Sequence, residues 1–566
     1  MKIERRPVPE VSLPDDLPPV LRRVYAARGI RDAEELVLGL DRLPGYQSLS
    51  DIEAAAALLQ EALTQDRRIL VVGDFDADGA TATALAVDAL RAFGATRVDY
   101  LVPDRARHGY GLSPAIVEAA RAYEPDLIVT VDNGIASVAG VAAARAAGSR
   151  VLITDHHLPP AELPDADAIV NPNRVDCGFP CKALAGVGVL FYVMLALRAR
   201  LRDAGWFAGR DEPGLADYLD LVALGTVADV VPLDRTNRIL VAQGLKRIRA
   251  GRTRPGLLAL ANAAGRDPGR LTAADIGFGL APRLNAAGRL ENMALGVDCL
   301  LAPDTETARE AALTLEGLNA ERRERQARMQ DAAFAALDGL DPGEGGLPAG
   351  LCLHRPDWHE GIVGLVAGRV RERYHRPAVA FADAGAGGLK GSARSIPGVH
   401  IRDVLENLAT RHPDLIDRFG GHAMAAGLTL PADRFEAFRA AFAEEVGRWV
   451  SEDMLQGVVV SDGELSDAEL GLEIAYALRE GGPWGAGFPE PVFDGVFAVL
   501  DQRIVGERHL KLRLGTDGGR AVDAIAFNHD REAPDRVRAV YRLDVNRYQG
   551  IDSVQLVIEH IVPAGV

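Results

Sequence analysis

The sequence predicts an α/β protein built on a parallel sheet, followed by a smaller α/β domain and a C-terminal β-domain. From about Ile69 to Leu240 the chain repeats a β-branched run, a polar turn and an Ala-rich helical stretch, as in RRILVVGDFDADG followed by ATATALAVDALRAFG. Strands that alternate with helices form parallel sheets covered on both faces. Near the C-terminus, HLKLRLGTDGGRAVDAIAF and DSVQLVIEHIV alternate apolar and polar residues around glycine-rich turns, which is typical of a small barrel or sandwich.

Length and composition indicate a soluble globular protein. The chain has 566 residues, too many for one hydrophobic core, and about three or four domains are expected. No apolar run approaches the roughly 20 residues that cross a bilayer, and MKIERRPVPE at the N-terminus has no apolar segment behind its charges. We therefore expect a cytoplasmic protein without a membrane anchor. Four cysteines argue against a disulfide scaffold, and we interpret the pair in CGFPC as incidental.

The net charge gives weak evidence about partners. A formal charge of −17 counts against binding of nucleic acid, because phosphate binding is largely electrostatic. A site that collects carboxylates to bind cations also adds negative charge, so the total does not exclude such a partner. The placement of individual arginines therefore carries more information than the sum.

Composition changes along the chain predict the domain boundaries. The segment from Thr305 to Leu337 has apolar residues at helical spacing and is interpreted as a helix that connects two domains. DPGEGGLPAG then marks a boundary, and PAVAFA and GSARSIPG belong to a smaller α/β unit beyond it. The predicted ranges are an N-terminal segment 1–50, a parallel-sheet domain 51–303, a connector helix 304–338, a smaller α/β domain 345–450 and a β-domain 451–566.

Acids and histidines follow three predicted strands directly, and a further acid follows another apolar run. Because ligands bind beyond the carboxyl ends of parallel strands, we expect these side chains to meet at one edge of the sheet. Any one of these acids alone fits equally well as a cap of the next helix. The residues are Asp74, Asp76 and Asp78 in GDFDADG, Asp132 in VDNG, Asp155, His156 and His157 in TDHH, and Asp229 in GTVADVVPL.

A cluster of this kind predicts a metal centre. Packed carboxylates raise one another's pKa unless a cation neutralises them. Oxygen ligands joined by imidazole suit manganese, and a set with fewer nitrogen ligands suits magnesium. Two ions held about 3.5–4 Å apart by a bridging carboxylate can activate a water and stabilise in-line displacement at phosphorus. The residues therefore predict two-metal phosphodiester hydrolysis.

The motifs GDFDADG, VDNG, TDHH and GTVADVVPL, in that order, resemble those of the DHH phosphoesterase superfamily. CGFPCKALAGVGV, APRLNAAGRLEN, HEGIVGLVAGRV, GSARSIPGVHIRD, FGGHAMAAG and GPWGAGFPEPVFDG are similar to its bacterial family of single-strand-specific 5′→3′ DNA exonucleases. The similarity covers about Val71 to Val562. It implies a DHH domain, a long helix, a DHH-associated domain and an OB-like barrel. It also implies release of 5′ mononucleotides from single-stranded DNA in recombination and repair.

The resemblance assigns roles to the clustered residues. It implies that the metal ligands are Asp76, Asp78, Asp132, His156 and Asp229. Asp132 would bridge two manganese or magnesium ions. Asp155 would bind metal or orient His156, and His157 would face the scissile phosphate as a leaving-group acid or an electrostatic contact. Asp74 would join the first metal or cap its loop.

Three further groups are candidates for DNA or phosphate binding. They are Arg105, Arg107, His108 and Tyr110 in PDRARHGYG, Arg283, Asn285 and Arg289 in APRLNAAGRL, and Ser392, Arg394 and His422 in GSARS and FGGHAMAAG. Arginine forks suit phosphate, and neighbouring glycines open backbone amides to an anion. The resemblance implies that the first group holds the 5′ end and the third binds substrate. A solvated turn, a helix cap and a structural histidine are the alternative roles.

The resemblance also implies partners, and two other functions stay open. The implied partners are single-stranded-DNA-binding protein and a RecQ-type helicase. The alternative enzyme is a DHH phosphodiesterase for short oligonucleotides or cyclic dinucleotides, although such relatives are shorter and lack the β-domain. The other alternative is a non-catalytic binding module. Every acidic position of the motifs is filled, which counts against that alternative. The β-domain would add affinity for DNA through stacking and charge; its aromatics include Phe493, Phe497, Phe527 and Tyr548, and the sequence does not separate those that face outward from those in the core.

Overall fold

The computed structural model describes residues 2–104, 111–339, 347–385, 387–506 and 508–564. The chain divides into two units, one formed by Arg5–Glu316 with Val460–Val566 and the other by Met1–Glu4 with Gly317–Val459. No helix in the described part is both long and apolar enough to span a membrane. The first elements are β1 (Lys2–Arg5), α1 (Pro19–Ala26) and α2 (Ile52–Thr64).

A five-stranded parallel sheet in the order β3-β2-β4-β5-β6 confirms the predicted α/β domain. The central strands are buried because helices cover both faces, which explains their unbroken apolar sequences. Its elements are β2 (Ile69–Val72), α3 (Ala77–Ala92), β3 (Val98–Leu101), α4 (Pro114–Ala120), β4 (Leu127–Val131), α5 (Val138–Ala146), β5 (Arg150–Thr154) and β6 (Ala168–Val170).

Between β6 and Leu301 the described chain forms helices and no strand, so the predicted alternation up to Leu240 is wrong beyond Val170. The run GVGVLFYVMLALRARLRD is too long for a strand and forms an 18-residue helix whose first half is buried. A π-helical segment, Ile276–Leu280, lies between two of these helices. They are α6 (Gly186–Asp203), α7 (Leu219–Ala228), α8 (Arg235–Arg249), α9 (Pro255–Ala263), α10 (Ala273–Asp275), α11 (Ala281–Leu290) and α12 (Ala294–Leu301).

The predicted connector is a single 34-residue helix, α13 (Thr305–Asp338). The smaller α/β domain after it has a mixed sheet in the order β10-β11-β9-β8-β7. Phe381, Phe438 and Phe442 lie in its core, with Phe438 and Phe442 stacked at a centroid distance of 5.7 Å. The elements are β7 (Leu351–His354), α14 (Val363–Tyr374), β8 (Ala378–Asp383), β9 (Gly388–Arg394), α15 (Ile401–Arg411), β10 (Arg418–Gly421), β11 (Ala425–Pro431) and α16 (Phe435–Trp449).

The C-terminal region is a closed five-stranded barrel, which confirms the predicted OB-like architecture. Phe493 and Phe497 are buried in it, whereas Phe527 and Tyr548 are exposed, so only the second pair is available to a ligand. A separate two-stranded sheet pairs β1 with β12. The last elements are β12 (Val458–Ser461), α17 (Leu472–Glu480), β13 (Phe493–Val505), β14 (His509–Gly515), β15 (Ala521–Ala526), β16 (Arg536–Tyr548) and β17 (Ile551–Pro563).

Candidate metal centre

The ends of three parallel strands bring the predicted acids together. Asp74 follows β2, and Asp76 begins α3, where its Oδ1 accepts the backbone N–H of Asp78 at 2.9 Å. Asp132 follows β4 in the left-handed region at φ +61°, a conformation that costs free energy in a residue other than glycine. Asp155 follows β5 and is buried. Such strain at the end of a buried strand is typical of a functional site.

His156 faces two carboxylates. Its Nε2 lies 3.1 Å from Asp132 Oδ1 and 3.5 Å from Asp229 Oδ2. Burial, helped by the nearby His157, lowers the pKa of His156 to about 4, so the ring is neutral at pH 7. The ring also bonds the backbone of Leu184, and Nε2, which faces the carboxylates, is buried without a hydrogen-bond partner among the described residues. A lone pair that faces two carboxylates at this distance fits a site for a cation.

The potential ligand atoms fall into three groups, in each of which all atoms lie within 4.8 Å of one another. Asp132 belongs to two of them, which fits the bridging role that the motifs imply. The groups are Asp74 with Asp76 and Asp132, Asp78 with His156 and Asp229, and Asp132 with His156 and His157.

The electrostatics of the acids also fit a cation. Burial first, and neighbouring carboxylates second, raise the pKa of Asp74 and Asp132 well above the ordinary value. The same causes raise the pKa of Asp78 to about 7 and that of Asp229 to about 9. Asp74 Oδ1 is buried and has no hydrogen-bond partner among the described residues. Divalent cations would neutralise these carboxylates, so the donor set fits manganese or magnesium.

Asp78 is held by the start of α6. Its Oδ2 accepts the backbone N–H of Gly186 at 2.6 Å, and its Oδ1 accepts that of Val187 at 3.0 Å. These amides are among the free N–H groups at the N-terminus of a helix, where negative charge is stabilised. Each carboxylate oxygen keeps a second lone pair, so Asp78 can still bind a metal.

Asp155 contacts the ring of His157, and its predicted role as a metal ligand or as the residue that orients His156 stays a prediction. Its Oδ1 accepts from His157 Nδ1 at 2.7 Å, and its Oδ2 accepts the backbone N–H of Ile135 at 2.9 Å. Its hydrogen bond with His156 is to that residue's backbone N–H, at 2.7 Å. The carboxylate thus lies against the imidazole ring two residues ahead in the same loop. Burial lowers the pKa of His157, but the bond to Asp155 outweighs it and raises that pKa to about 9.

Two asparagines that the sequence analysis did not select hold the histidine loop. Asn173 Nδ2 donates to the carbonyl of His156 at 2.5 Å, and Asn171 Nδ2 donates to that of His157 at 2.9 Å. Asn133 Nδ2 similarly joins the carbonyls of Val72 and Val131 at 3.0 and 2.9 Å. The NPN tripeptide after an apolar run and the Asn beside the acid of VDNG are the sequence signals for these roles.

Helix α11 packs against the GDFDADG loop. Asn285 Oδ1 accepts the backbone N–H of Ala77 at 2.9 Å. A β-carbon on Gly288 would lie 1.8 Å from the carbonyl oxygen of Phe75, so the helix and loop are in close contact. Arg283 is buried, with its Nε 2.5 Å from Glu316 Oε2. These contacts favour a positioning role for APRLNAAGRL, and phosphate binding by Arg283, Asn285 and Arg289 stays a prediction.

The other predicted DNA contacts are located only in part. Arg105, Arg107, His108 and Tyr110 lie outside the described residues. In the smaller α/β domain, Ser392 and Arg394 share one face of β9, and Arg394 Nη1 donates to Ser392 Oγ at 3.0 Å. His422 follows β10, and its backbone N–H donates to the carbonyl of Ala425 at 2.8 Å. Their predicted contact with substrate stays a prediction.

Family models match three regions of the chain. The model described as "DHH family, N-terminal domain" matches residues 68–226, the DHHA1 domain matches 348–448, and the RecJ OB domain matches 461–560. Together with the acid cluster at the sheet edge, these matches define a protein of the DHH class.

Relatives narrow the class to one family. The single-stranded-DNA-specific exonuclease RecJ of Dickeya dadantii is 56% identical over 99% of both chains. The RecJ of Escherichia coli K12 is 53% identical over 100% of this chain and 99% of its own. The chain belongs to the RecJ family.

A solved structure agrees with this assignment. The crystal structure of RecJ in complex with Mn2+ from Thermus thermophilus superposes with a TM-score of 0.81 at 32% identity. The match covers 100% of this chain and 80% of that one. The relative's structure contains the metal that the donor set predicts.

Proposed function

We propose that this protein is a metal-dependent exonuclease that removes mononucleotides from the 5′ end of single-stranded DNA. The observation that carries the proposal is the neutral His156, whose Nε2 faces Asp132 and Asp229 within 3.1 and 3.5 Å in a cluster of buried acids. Full-length similarity to single-stranded-DNA-specific exonucleases supports the choice of substrate. The 5′→3′ direction rests on the resemblance of the motifs.

The acid cluster would hold two divalent ions, manganese or magnesium. When bound, such ions lower the pKa of a water and stabilise the negative charge that develops on phosphorus oxygens. The proposed ligands are Asp74, Asp76, Asp78, Asp132, His156 and Asp229, with Asp132 common to both ions. Asn171 and Asn173 fix the backbone beneath the histidines, so the ligands are oriented before substrate arrives.

His157 is proposed to contact the scissile phosphate. Asp155 accepts its Nδ1–H, which fixes the orientation of the ring and with it the direction of Nε2. A protonated Nε2 would donate to a phosphate oxygen or to the leaving oxygen as the P–O bond breaks. Asp155 is thus a positioning residue for His157 in this scheme, not a metal ligand.

A role in recombination and repair is proposed on the same family resemblance. Single-stranded-DNA-binding protein and a RecQ-type helicase remain predicted partners, and the cytoplasm remains the predicted location. The alternative substrates, short oligonucleotides and cyclic dinucleotides, are distinguished by the test below.

The test is a time course on long single strands labelled at either end, with manganese, magnesium or chelator. We expect a 5′ label to appear first as a mononucleotide with either metal, and no release with chelator. Earlier release of a 3′ label would contradict the proposed direction. Activity on a dinucleotide but not on the long strand would establish the alternative, and DNA binding without turnover in manganese would establish a binding module.

A further inference from the structure

Asn237, in the first turn of α8, is a fully buried amide with two backbone partners. Its Nδ2 donates to the carbonyl of Ala183 at 2.6 Å and to that of Pro232 at 2.9 Å. Only the NH2 end of the amide can face two carbonyl oxygens, so the orientation of the side chain is fixed. Asn237 thus joins two stretches of backbone that are far apart in the sequence.

The first of these stretches contacts two of the proposed metal ligands. The ring of His156 bonds the backbone of Leu184. Asp78 accepts the backbone N–H groups of Gly186 and Val187 at 2.6 and 3.0 Å. A shift of this stretch would therefore move the groups that hold both ligands.

The second stretch is the loop between Asp229 and α8. Asp229 caps α7, and Val230 comes next with φ +63°, an outlier for a β-branched residue. A strained conformation of this kind persists only where neighbouring contacts hold it. The bond from Asn237 to the carbonyl of Pro232, two residues further on, supplies such a contact.

The three ligands reached in this way form one group of potential ligand atoms. Asp78, His156 and Asp229 each offer an atom, and these atoms lie within 4.8 Å of one another. Asn237 is bonded to the backbone that holds Asp78 and His156 and to the backbone that follows Asp229. One amide therefore connects the supports of all three ligands.

The group formed by Asp74, Asp76 and Asp132 has other supports. Asp74 follows β2 and Asp76 begins α3, while the backbone N–H of Asp132 donates to the carbonyl of Thr154 at 3.0 Å within the parallel sheet. A small shift of Gly186, which has no side chain, leaves that bond in place. Asn237 should therefore act on one group of ligands more than on the other.

We propose that Asn237 is a positioning residue for the metal ion held by Asp78, His156 and Asp229. The inference rests on the proposed function, because it needs the acid cluster to bind two ions. By joining the two stretches, the Asn237 amide fixes Asp229 relative to the other two ligands before an ion arrives. Loss of a contact behind the ligands typically weakens metal binding by about 10- to 100-fold. The ion held by the second group should keep its affinity.

The test is calorimetric titration of the full-length protein with manganese, using Asn237→Ala and the control Ile248→Ala. Ile248 is fully buried in the last turn of the same helix, about 16 Å further along it, so its truncation lowers stability at a distance from both stretches. We expect Asn237→Ala to bind one ion with wild-type affinity and the other about 10- to 100-fold more weakly. Ile248→Ala should lower Tm but bind both ions as tightly as the wild type.

If Asn237→Ala does not fold, Asn237→Thr takes its place. Threonine is of similar size to asparagine and keeps one hydrogen-bond donor where the amide has two. We expect Asn237→Thr to weaken the same ion by a smaller factor. Unchanged affinity for both ions, equal weakening of both ions, or the same weakening in Ile248→Ala would overturn the inference.

A measurement without metal follows the two stretches directly. In chelator, hydrogen exchange read by mass spectrometry should become faster in peptides of Asn237→Ala that contain residues 183–187 and 229–234, more than in the rest of the chain. Ile248→Ala should show no such local increase. Absence of bound manganese in the wild type would contradict the proposed function, and the exchange rates would still decide whether Asn237 holds the two stretches together.

Discussion

Gly186, the first residue of α6, lies directly against Asp132. A β-carbon at position 186 would be 2.5 Å from Asp132 Cβ and 2.6 Å from its Oδ1. Gly186→Ala must therefore displace the carboxylate that the site places between two groups of ligands. We predict that this variant folds but loses at least about tenfold in metal affinity, as expected when a ligand loses its support. Manganese titration with a circular dichroism spectrum checks both parts.

Gly188→Ala is the matched control, in the same turn of the same helix. A β-carbon there would meet only the side chain of Leu184, at 3.3 Å, which a small adjustment can relieve. Its manganese affinity should equal that of the wild type. Equal affinity in both variants would show that Asp132 tolerates displacement.

Asp155→Asn should uncouple His157 from the metal ligands. Both carboxylate oxygens of Asp155 accept N–H groups, one from Ile135 and the others from the backbone of His156 and from the ring and backbone of His157. Whichever way the amide is turned, its NH2 faces an N–H donor. We predict a fall in kcat of about 10²-fold or more with manganese binding retained, the loss typical of a misplaced proton donor. Single-turnover kinetics beside manganese titration separate the two effects.

Asp165→Asn is the control for that substitution, since its carboxylate is almost fully exposed and pairs with Arg145 on the surface. It should leave kcat unchanged. An unchanged kcat for Asp155→Asn would contradict the role of Asp155 in orienting His157. Loss of manganese binding in this variant would show that Asp155 is a metal ligand.

Arg283 should contribute to the stability of the folded protein. Its guanidinium lies 2.5 Å from Glu316 and 3.2 Å from the carbonyl of Ala263. Removing one partner of a largely buried pair leaves the other charge unpaired, so Arg283→Ala should lower the free energy of unfolding by about 2–4 kcal/mol. In a double-mutant cycle with Glu316→Ala, the combined loss should be smaller than the sum. Unchanged stability together with weaker DNA binding would favour the phosphate role.

Asp494 should make the stability of the folded protein depend on pH. Burial alone would raise its pKa, but hydrogen bonds from Arg5, Ser461 and Arg538 outweigh burial and lower the pKa to about 2. A lowered pKa in the folded state stabilises the fold above the ordinary value of 3.8, and that stabilisation is lost as pH falls towards 2. Asp494→Asn should therefore lower Tm at pH 7 and 5.

The difference in Tm between wild type and Asp494→Asn should narrow below about pH 4. Asp517→Asn serves as the control, because its carboxylate is exposed and pairs with Arg536 at the surface. A difference that stays constant down to pH 3 would contradict the assigned hydrogen bonds.

The sequence predicted the parallel sheet and its acidic edge because both depend on local patterns. Apolar runs such as ILVV end in Asp74, and parallel strands bring such ends together whatever the details of packing. Asp229 was also selected, although its apolar run is a helix, α7. Apolar runs of four and of ten residues are both buried, so hydrophobicity alone does not distinguish a strand from a helix.

Contacts between residues far apart in the chain could not be predicted from the sequence. Gly186 lies against Asp132 and Asn285 binds the backbone of Ala77, 208 residues away. Such pairs follow from tertiary packing and have no local pattern. The contact of Asp155 with His157 is local, but it depends on how the loop after β5 turns, which the sequence does not show. Asn237 gave no signal either, because only the structure shows which carbonyls its amide contacts.

The most direct test of the metal centre is the number of manganese ions bound per chain by the wild type and by Asp132→Asn, measured by calorimetric titration. We predict two ions for the wild type and a loss of high-affinity binding at both sites in the variant, because Asp132 belongs to two groups of ligand atoms. Retention of both ions by Asp132→Asn, or a single ion in the wild type, would contradict the two-ion centre.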